Sequence, residues 1–301
     1  VFAEEKRVRT RLFVLAVAQD GAEVQTGYSA PGKSVGLELF DLYPPKAVGE
    51  KAARQALTNL KARPAPAGTF PVVVGPGFGG VLFHEAVGHL LETTSVARKA
   101  SVLADKLGEV VASPAVTYID DGTLPHAWGS TEMDDEGRPT ERTVLIEKGV
   151  LKSYMVDRLG HLLTGYPMTG SGRRQDYTFA PTSRMRNTFL APGEARVEDL
   201  FAGIAFGLYA KEMGGGQVKP GSGEYNFAVQ EGYIIRKGRI EEPVRGAMLV
   251  GKGPETLMRV VAVAQDLENA PGVCGSLSGA GPVEVGQPHV LVSEIVVGGR
   301  A

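Results

Sequence analysis

The stretch "VLFHEAVGHLLE", residues 81–92, follows a short apolar run and a glycine-rich loop and holds two histidines beside a glutamate. His84 and His89 lie five positions apart, and Glu85 directly follows the first histidine. An α-helix turns by about 100° per residue, so side chains five positions apart point about 140° away from each other. They could not reach one metal ion from a regular helix. We therefore expect a π-bulge or a broken turn between Glu85 and His89, where Gly88 supplies backbone freedom.

The histidine pair admits two interpretations. Neutral imidazoles bind zinc well, and a neighbouring carboxylate can carry a proton between activated water and a leaving amine. The chain has only five histidines, and two of them fall within this short window. The alternative is an amphipathic helix whose histidines are hydrogen-bonded in the core. Spacing alone leaves both interpretations open.

The loop that precedes the motif also fits a dinucleotide-binding pattern. Gly75, Gly77 and Gly80 have the spacing G-x-G-x-x-G between an apparent strand and a helix. Such a site also needs a second parallel strand that ends in an acidic residue about 20 positions further on. The sequence at 93–108, "TTSVARKASVLADKLG", has no clear strand pattern. Nucleotide binding is therefore the weaker interpretation.

The composition is that of an ordinary globular protein. The chain has 301 residues, of which 43% are apolar, and a formal net charge of -2. This balance argues against a nucleic-acid-binding protein that relies on overall basicity. No apolar run reaches about 18 residues, and the opening residues lack a signal-peptide pattern, so we expect no membrane association. The single cysteine, Cys274, excludes an intrachain disulfide and favours a cytoplasmic location.

Strand and turn signals outnumber helical ones along the chain. A hairpin is predicted around Asp20-Gly21 and another around Lys148-Gly149, while the segment 44–62 has helical periodicity. This order predicts an α+β fold with a curved, mostly antiparallel, barrel-like sheet and a distorted helix that carries the motif. The other predicted elements are a connector at 63–68, strands at 72–74, 184–190, 204–209, 224–236 and 288–297, a helix at 254–265 and a flexible loop around Cys274.

The motif and several blocks around it resemble the TldD/PmbA metallopeptidase family, in its TldD-like catalytic branch. These blocks cover nearly the whole chain in the family's order. They include "PVVVGPGFGGVLFHEAVGHLLE" (71–92), "VASPAVTYIDDGTLPHAWGS" (111–130), "TGSGRRQDY" (169–177), "RMRNTFLAPG" (184–193) and "PGVCGS" (271–276). The resemblance implies a zinc peptidase with one zinc ion per chain, held by His84, His89 and Cys274. It also implies Glu85 as general base and acid and a zinc-activated water as nucleophile.

The resemblance carries further expectations. It implies unfolded or short peptides as substrates, and a homodimer or a heterodimer with a PmbA-like subunit. The family has an α+β domain ahead of these blocks, and we expect it to be largely absent here. Residues 1–65 would be the last part of that region, a hairpin and a helix, and residues 66–301 the catalytic domain. The alternative function is a non-catalytic zinc- or peptide-binding subunit that needs a PmbA-like partner for turnover.

The remaining candidates each have an ordinary explanation as well. Cys274 could be a buried small side chain, and His126 is the rival third ligand, although a surface position in its loop fits it better. His161 and His289 are expected to be structural. Five further residues could contact substrate: Asp134, Asp135, Arg173, Gly214 and Gly215. Solvated turns, surface charge pairs or strand bends would explain them equally well.

Overall fold

The computed structural model describes residue 2 and residues 4–219 and 221–299. Val1 and Ala301, the outer ends of the two expected domains, lie outside this described part. Within it, more residues lie in strands than in helices, and antiparallel strand pairs greatly outnumber parallel ones. The predicted α+β class and the mostly antiparallel sheet are confirmed.

The first part of the chain is a strand hairpin packed against one long helix. Its elements are β1 (Thr10–Arg11), β2 (Val14–Asp20), β3 (Glu23–Ser29), β4 (Gly32–Lys33), α1 (Leu39–Leu42) and α2 (Pro45–Lys61). The predicted turn is present, because Gly21 has a φ of 57° between the antiparallel strands β2 and β3. Helix α2 contacts both strands and buries Val48, Ala52 and Ala56. Both the hairpin and the helix are therefore as expected.

The motif follows in a run of short elements. These are β5 (Arg63–Pro64), β6 (Gly68–Val74), a first 3₁₀ helix (Gly77–Gly80), α3 (Val81–Ala86), a second 3₁₀ helix (Gly88–Leu91) and α4 (Thr93–Val96). Close packing accounts for a glycine in this loop, since a Cβ at Gly80 would lie 2.6 Å from the backbone of Gly286. The next strand along the chain after β6 belongs to a different sheet, so the strand pair of a dinucleotide site is not formed.

A six-stranded sheet forms one side of the remaining structure. The elements of this middle region are β7 (Tyr118–Asp121), β8 (Arg142–Glu147), β9 (Val150–Leu151), α5 (Arg158–Thr164), β10 (Gly172–Arg173), β11 (Thr182–Ser183), β12 (Asn187–Leu190) and α6 (Val197–Ala202). The predicted bend between β8 and β9 is confirmed, with positive φ values of 46° at Lys148 and 85° at Gly149. The strands β12, β7, β8 and β9 lie side by side in this sheet.

The other side is a closed barrel of five strands. The C-terminal elements are β13 (Phe206–Lys219), β14 (Glu224–Arg236), β15 (Arg239–Arg245), β16 (Met248–Lys252), α7 (Gly253–Met258), β17 (Val260–Val263), β18 (Glu268–Ser276), β19 (Gly279–Gln287) and β20 (Val290–Gly298). The order β13-β6-β20-β16-β14 closes because β14 pairs again with β13. Val72, Val74, Leu208, Phe227 and Val292 are fully buried in its core. The barrel-like prediction is confirmed.

The motif helix lies between these two halves. Helix α3 contacts the barrel strands β13 and β14 and the sheet strands β12 and β19. Strands β18 and β19 form the hairpin at one edge of the six-stranded sheet. The motif is therefore held between the barrel and the six-stranded sheet, and this position brings distant segments next to it.

Three local predictions were wrong. The helix expected at 254–265 ends at Met258, because the β-branched residues that follow form β17 and pair with β20. The loop expected around Cys274 is strand β18, whose partner β19 satisfies its backbone. The connector at 63–68 contains the short strand β5, which pairs with β15. Partner strands distant in sequence determined the conformation of β5 and β17, while β18 pairs with the strand that directly follows it.

Candidate metal centre

The motif helix is broken where its spacing requires a break. Helix α3 ends at Ala86, Val87 has φ −132° and ψ −49°, and the second 3₁₀ helix begins at Gly88. The predicted irregularity is confirmed as a broken turn. As a result the rings of His84 and His89 approach each other, with centroids 5.4 Å apart and planes at 81°.

Gly88 is required at the break by the close approach of other side chains. A Cβ at this position would collide with the sulfur of Met185 and lie 3.3 Å from the hydroxyl of Tyr118. Gly88 does not have a positive φ, so sterics rather than backbone freedom demand a glycine. The sequence indicated the correct residue, but the reason for it is tertiary packing.

Four potential metal ligands converge at this break. The ligand atoms of His84, Glu85, His89 and Cys274 all lie within 4.8 Å of one another. Nε2 of His89 is 3.4 Å from the sulfur of Cys274 and 3.2 Å from Oε2 of Glu85. Nε2 of His84 is buried and has no hydrogen-bond partner among the described residues. A buried imidazole nitrogen without a partner is costly, and a metal ion would satisfy it.

Each imidazole is oriented by a contact on its other nitrogen. Nδ1 of His84 lies 2.8 Å from the hydroxyl of Thr188, and Nδ1 of His89 lies 3.3 Å from Oε2 of Glu92. A proton on Nδ1 can be donated to these oxygens, which leaves the Nε2 lone pair directed toward the ligand group. This arrangement is typical of metal-binding histidines.

The electrostatics of the polypeptide keep His84 neutral and pair a charged His89 with the thiolate of Cys274. Burial and the charge of His89 hold the pKa of His84 well below its usual value. Burial also acts against the charged form of His89, but Glu92 and the hydrogen bonds to Cys274 and Glu85 raise its pKa well above the usual value. Burial opposes ionisation of Cys274 as well, yet the hydrogen bond with His89 lowers the pKa of the thiol. Zinc binds a thiolate and neutral imidazoles, so the forms of Cys274 and His84 suit a metal ion, while His89 would release a proton to bind one.

The ligand group opens into a cleft of about 510 Å³, lined by residues that include Glu85, His89, Gln217 and Gly275. The side chain of Glu85 is 25% exposed and that of His89 is 10% exposed. The carboxylate of Glu85 can therefore meet a molecule in the cleft. A larger cavity of about 760 Å³ lies between the α2 region and the barrel, and none of the four ligand residues lines it.

Three of the five predicted substrate-contact residues form hydrogen bonds away from the cleft. Asp134 is buried and accepts hydrogen bonds from three backbone N–H groups, which makes it part of a turn. Asp135 accepts from the guanidinium of Arg7 and from a backbone N–H. Arg173 is buried and donates to the carbonyl of Cys274, behind the ligand group. None of these three lines the cleft beside the ligand group.

The two predicted glycines lie on the long strand β13. Gly214 and Gly215 precede Gln217, whose side chain reaches the cleft, while Gly215 lines the larger cavity. A Cβ at Gly215 would meet nothing within 4 Å, so the backbone is open at this point. A role for these glycines in binding an extended chain remains a prediction.

The other histidines lie outside the ligand group. His126 is exposed in a loop with a φ of 57°. His161 lies on α5 and contacts the carbonyl of Tyr166 through Nδ1. His289 lies between the carboxylate of Asp266 and the hydroxyl of Tyr209.

Sequence reasoning missed three polar residues that surround the ligands. Glu92 lies three positions after His89, at the end of the stretch 81–92. This spacing was the signal in the sequence that could have identified Glu92 as a neighbour of His89. Arg184 and Thr188 come from the block at 184–193, whose resemblance to the family was noted without assigning roles. All three are buried and polar, which the linear sequence does not reveal.

The chain matches known proteins along nearly its full length. The family model described as PmbA/TldA metallopeptidase C-terminal domain matches residues 67–299, and the corresponding central domain matches residues 1–60. The chain is 41% identical over 307 residues to the metalloprotease TldD homolog of Haemophilus influenzae, which covers 99% of this chain and 63% of that protein. It is 31% identical over 289 residues to the zinc metalloprotease TldD homolog of Saccharolobus solfataricus, with 96% and 64% covered. The chain thus spans just under two thirds of these relatives.

Solved structures have the same fold. A Thermotoga maritima protein described as a modulator of DNA gyrase superposes with a TM-score of 0.77 at 27% identity, over 96% of this chain and 62% of that one. TldE from Thermococcus kodakarensis superposes with a TM-score of 0.76 at 20% identity, again over 96% and 62%. No helix in the described part has both the length and the apolar character needed to cross a membrane. From the family models and the 41% identity over nearly all of its residues, this chain belongs to the TldD/PmbA metallopeptidase family, in the TldD-like branch.

Proposed function

We propose that the chain is a zinc-dependent peptidase whose metal ligands are His84, His89 and Cys274, with one zinc ion per chain. The observation that carries this proposal is the convergence of their ligand atoms within 4.8 Å, with a buried and unpaired Nε2 on His84. Two imidazoles and one thiolate match a catalytic zinc site, which keeps a fourth position open. The zinc metalloprotease name of the Saccharolobus relative adds support.

Glu85 is the proposed general base and acid. When bound, zinc would polarise the scissile carbonyl and lower the pKa of water. The Glu85 carboxylate accepts the proton of the attacking water and then donates it to the departing amine. Its partly exposed position at the cleft, 3.2 Å from Nε2 of His89, supports this role. A glutamine at the same place has no basic oxygen to hold that proton.

The substrate is proposed to bind as an extended peptide along strand β13. Its partner β6 pairs only with Leu208–Ala210, so within the described residues no strand pairs with this edge beyond Ala210. The free part of the edge runs past Gly214 and Gly215 to Gln217 and Val218 at the metal cleft. Main-chain hydrogen bonds to such an edge bind peptides with little demand on side chains.

The wider context is proposed from the family. Residues 1–65 and 66–301 would act as the central and catalytic parts of a cytoplasmic dimer, with a second copy or a PmbA-like subunit as partner. The Thermococcus neighbour is named TldE. The alternative function, a zinc- or peptide-binding subunit without activity of its own, is retained because the chain spans 63% of the Haemophilus relative.

The deciding experiment uses the purified chain, loaded with one equivalent of zinc and mixed with an unstructured peptide. We expect cleavage products by mass spectrometry, and none with Glu85→Gln under the same zinc loading. If the chain binds zinc and the peptide without cleaving it, and a PmbA-like protein restores turnover, the alternative function is correct. If the chain binds no zinc, the peptidase function is wrong, and if it binds neither zinc nor the peptide, both functions are wrong.

A further inference from the structure

Arg184 is a buried arginine that contacts two of the groups around His89, and its Nη1 also lies 3.4 Å from Nδ1 of His89 itself. It lies between β11 and β12, and only 3% of it is exposed. Its Nη1 donates to Oε2 of Glu92 over 2.8 Å, and its Nη2 donates to the sulfur of Cys274 over 2.8 Å. Nη2 also reaches the carbonyl of Gly275 at 3.3 Å. One planar guanidinium therefore joins the motif segment to strand β18.

These two contacts fall on opposite sides of one imidazole ring. Glu92 lies 3.3 Å from Nδ1 of His89, and the sulfur of Cys274 lies 3.4 Å from Nε2 of the same ring. Arg184 binds both Glu92 and Cys274, so the distance between the Glu92 carboxylate and the Cys274 sulfur depends on the spacing of the two Nη atoms. A lysine has a single nitrogen and cannot reproduce this two-point contact.

We propose that Arg184 is the positioning residue of the metal centre. It places the Cys274 sulfur beside Nε2 of His89 and keeps Glu92 on the Nδ1 side, where this carboxylate orients the ring. Without Arg184, the buried Glu92 carboxylate has lost its cation and is free to turn toward the metal as a competing ligand. This inference rests on the proposed ligand set, and it assigns the geometry of that set to a residue that is not a ligand.

The charges support this role. The carboxylate of Glu92 is 4% exposed and forms an ion pair with Arg184, which is also 4% exposed, over 2.8 Å. Arg173 lies behind the group as well, but it donates to the backbone carbonyl of Cys274 rather than to the sulfur. Of these two arginines, Arg184 is the one whose guanidinium contacts both Glu92 and the thiol of Cys274.

The test is a cobalt titration of the metal-free chain. Co²⁺ reports a bound thiolate through a charge-transfer absorption, independently of any activity. Arg184→Met should weaken Co²⁺ binding by about 10- to 100-fold, the usual effect of losing an outer-shell partner, and should diminish or shift the thiolate band. Arg184→Lys should recover much of the thermal stability but not the band. Glu92→Gln should weaken binding with the thiolate band retained.

The matched control is Arg186→Met, which removes an equally buried arginine two positions away. Arg186 donates to the carbonyl of Gly172 and does not contact the ligand group. It should lower the melting temperature and leave the Co²⁺ affinity and spectrum unchanged. The double variant Arg184→Met with Glu92→Gln removes the unpaired carboxylate, so it should regain thermal stability over Arg184→Met alone while its cobalt affinity stays low.

The results separate this inference from the proposed function. If Arg184→Met and Arg184→Lys bind Co²⁺ with wild-type affinity and spectrum, and only their melting temperatures fall, Arg184 is merely structural and the inference is overturned. If the unaltered chain shows no thiolate band at all, the ligand assignment fails instead. If Arg184→Met does not fold, the folded Arg184→Lys variant decides, because an unchanged band there also overturns the inference.

Discussion

The sulfur of Cys274 lies 3.4 Å from Nε2 of His89, although the two residues are 185 positions apart in the sequence. Cys274 belongs to strand β18, at the edge of the six-stranded sheet, and His89 belongs to the broken helix between that sheet and the barrel. Their meeting depends on both halves of the fold. A metal ion bound here would link the motif segment to the six-stranded sheet.

Replacing Cys274 with alanine should abolish zinc binding and leave the fold largely intact. The change removes one of the three proposed ligands, and the only one of them that carries a negative charge, so zinc should no longer bind. The lost side chain is small, so the free energy of unfolding should fall by about 1 kcal/mol. Zinc stoichiometry and thermal melts on the purified variant give the measurement, with His84→Ala beside it. The control is His126→Ala, which alters an exposed histidine and should retain zinc. If Cys274→Ala keeps its zinc while His84→Ala loses it, the third ligand is misassigned.

Replacing Glu85 with glutamine should keep the metal and lose the activity. The side chain keeps its shape, but the oxygen that accepts a proton becomes an amide, so the rate of hydrolysis should fall by about 10²- to 10⁴-fold. Peptide cleavage and zinc content are measured on the same preparation. Glu50→Gln, an exposed change on α2, should leave both unchanged. Turnover of the Glu85 variant near the normal rate would assign the proton transfer to another group.

Replacing Gly88 with alanine should destabilise the broken turn. The added methyl group would collide with the sulfur of Met185, and relief of this overlap should cost about 1–3 kcal/mol. Urea unfolding measures the loss, and zinc content should fall with it as His89 moves. Gly49→Ala is the matched control, since a Cβ there meets nothing within 4 Å on helix α2 and should be neutral or stabilising. A second substitution, Met185→Ala in the Gly88→Ala protein, should recover part of the lost stability only if the collision with Met185 causes the loss.

A peptide bound along β13 should respond to the loss of main-chain donors at alternate positions. Strand pairing has a period of two, so N-methylation of every second residue should weaken binding while the residues between tolerate it. The affinity of a methylated peptide series for the Glu85→Gln protein gives this pattern. Equal tolerance at all positions, or a strict demand for one side chain, would contradict binding at the strand edge.

The buried carboxyl of Asp120 should make stability depend on pH. Burial raises the pKa of Asp120 from 3.8 to about 7, so the folded state holds a proton that the unfolded chain has released. The protonated carboxyl of Asp120 therefore contributes to the free energy of unfolding. This contribution is fully present below about pH 4 and is lost as pH rises through about 7. Between about pH 5 and about pH 8, the free energy of unfolding of the normal protein should fall by about 2–3 kcal/mol more than that of the Asp120→Asn variant.

Urea unfolding of both proteins at the two pH values gives the comparison. Asp105→Asn, an exposed change, should not alter the pH dependence. Parallel curves for the normal protein and Asp120→Asn would mean that Asp120 is ionised in the folded state throughout this range.

The sequence by itself determined the features that depend on nearby residues. Alternating apolar residues and the Asp20-Gly21 turn were enough for the first hairpin, and helical periodicity after Pro45 was enough for α2. The five-residue spacing of His84 and His89 required a broken helix, because helical geometry follows from counting residues. The candidate base Glu85 and two of the three proposed ligands were visible for the same reason.

Tertiary structure alone decided the features that depend on distant partners. Residues 260–263 became a strand because β20 lies beside them, and residues 63–64 became β5 because β15 pairs with them. The bridge from Glu92 through Arg184 to Cys274 joins three segments that no periodicity relates. Backbone pairing and buried ion pairs draw their free energy from groups that meet only in the folded chain, so local sequence patterns carry no record of them.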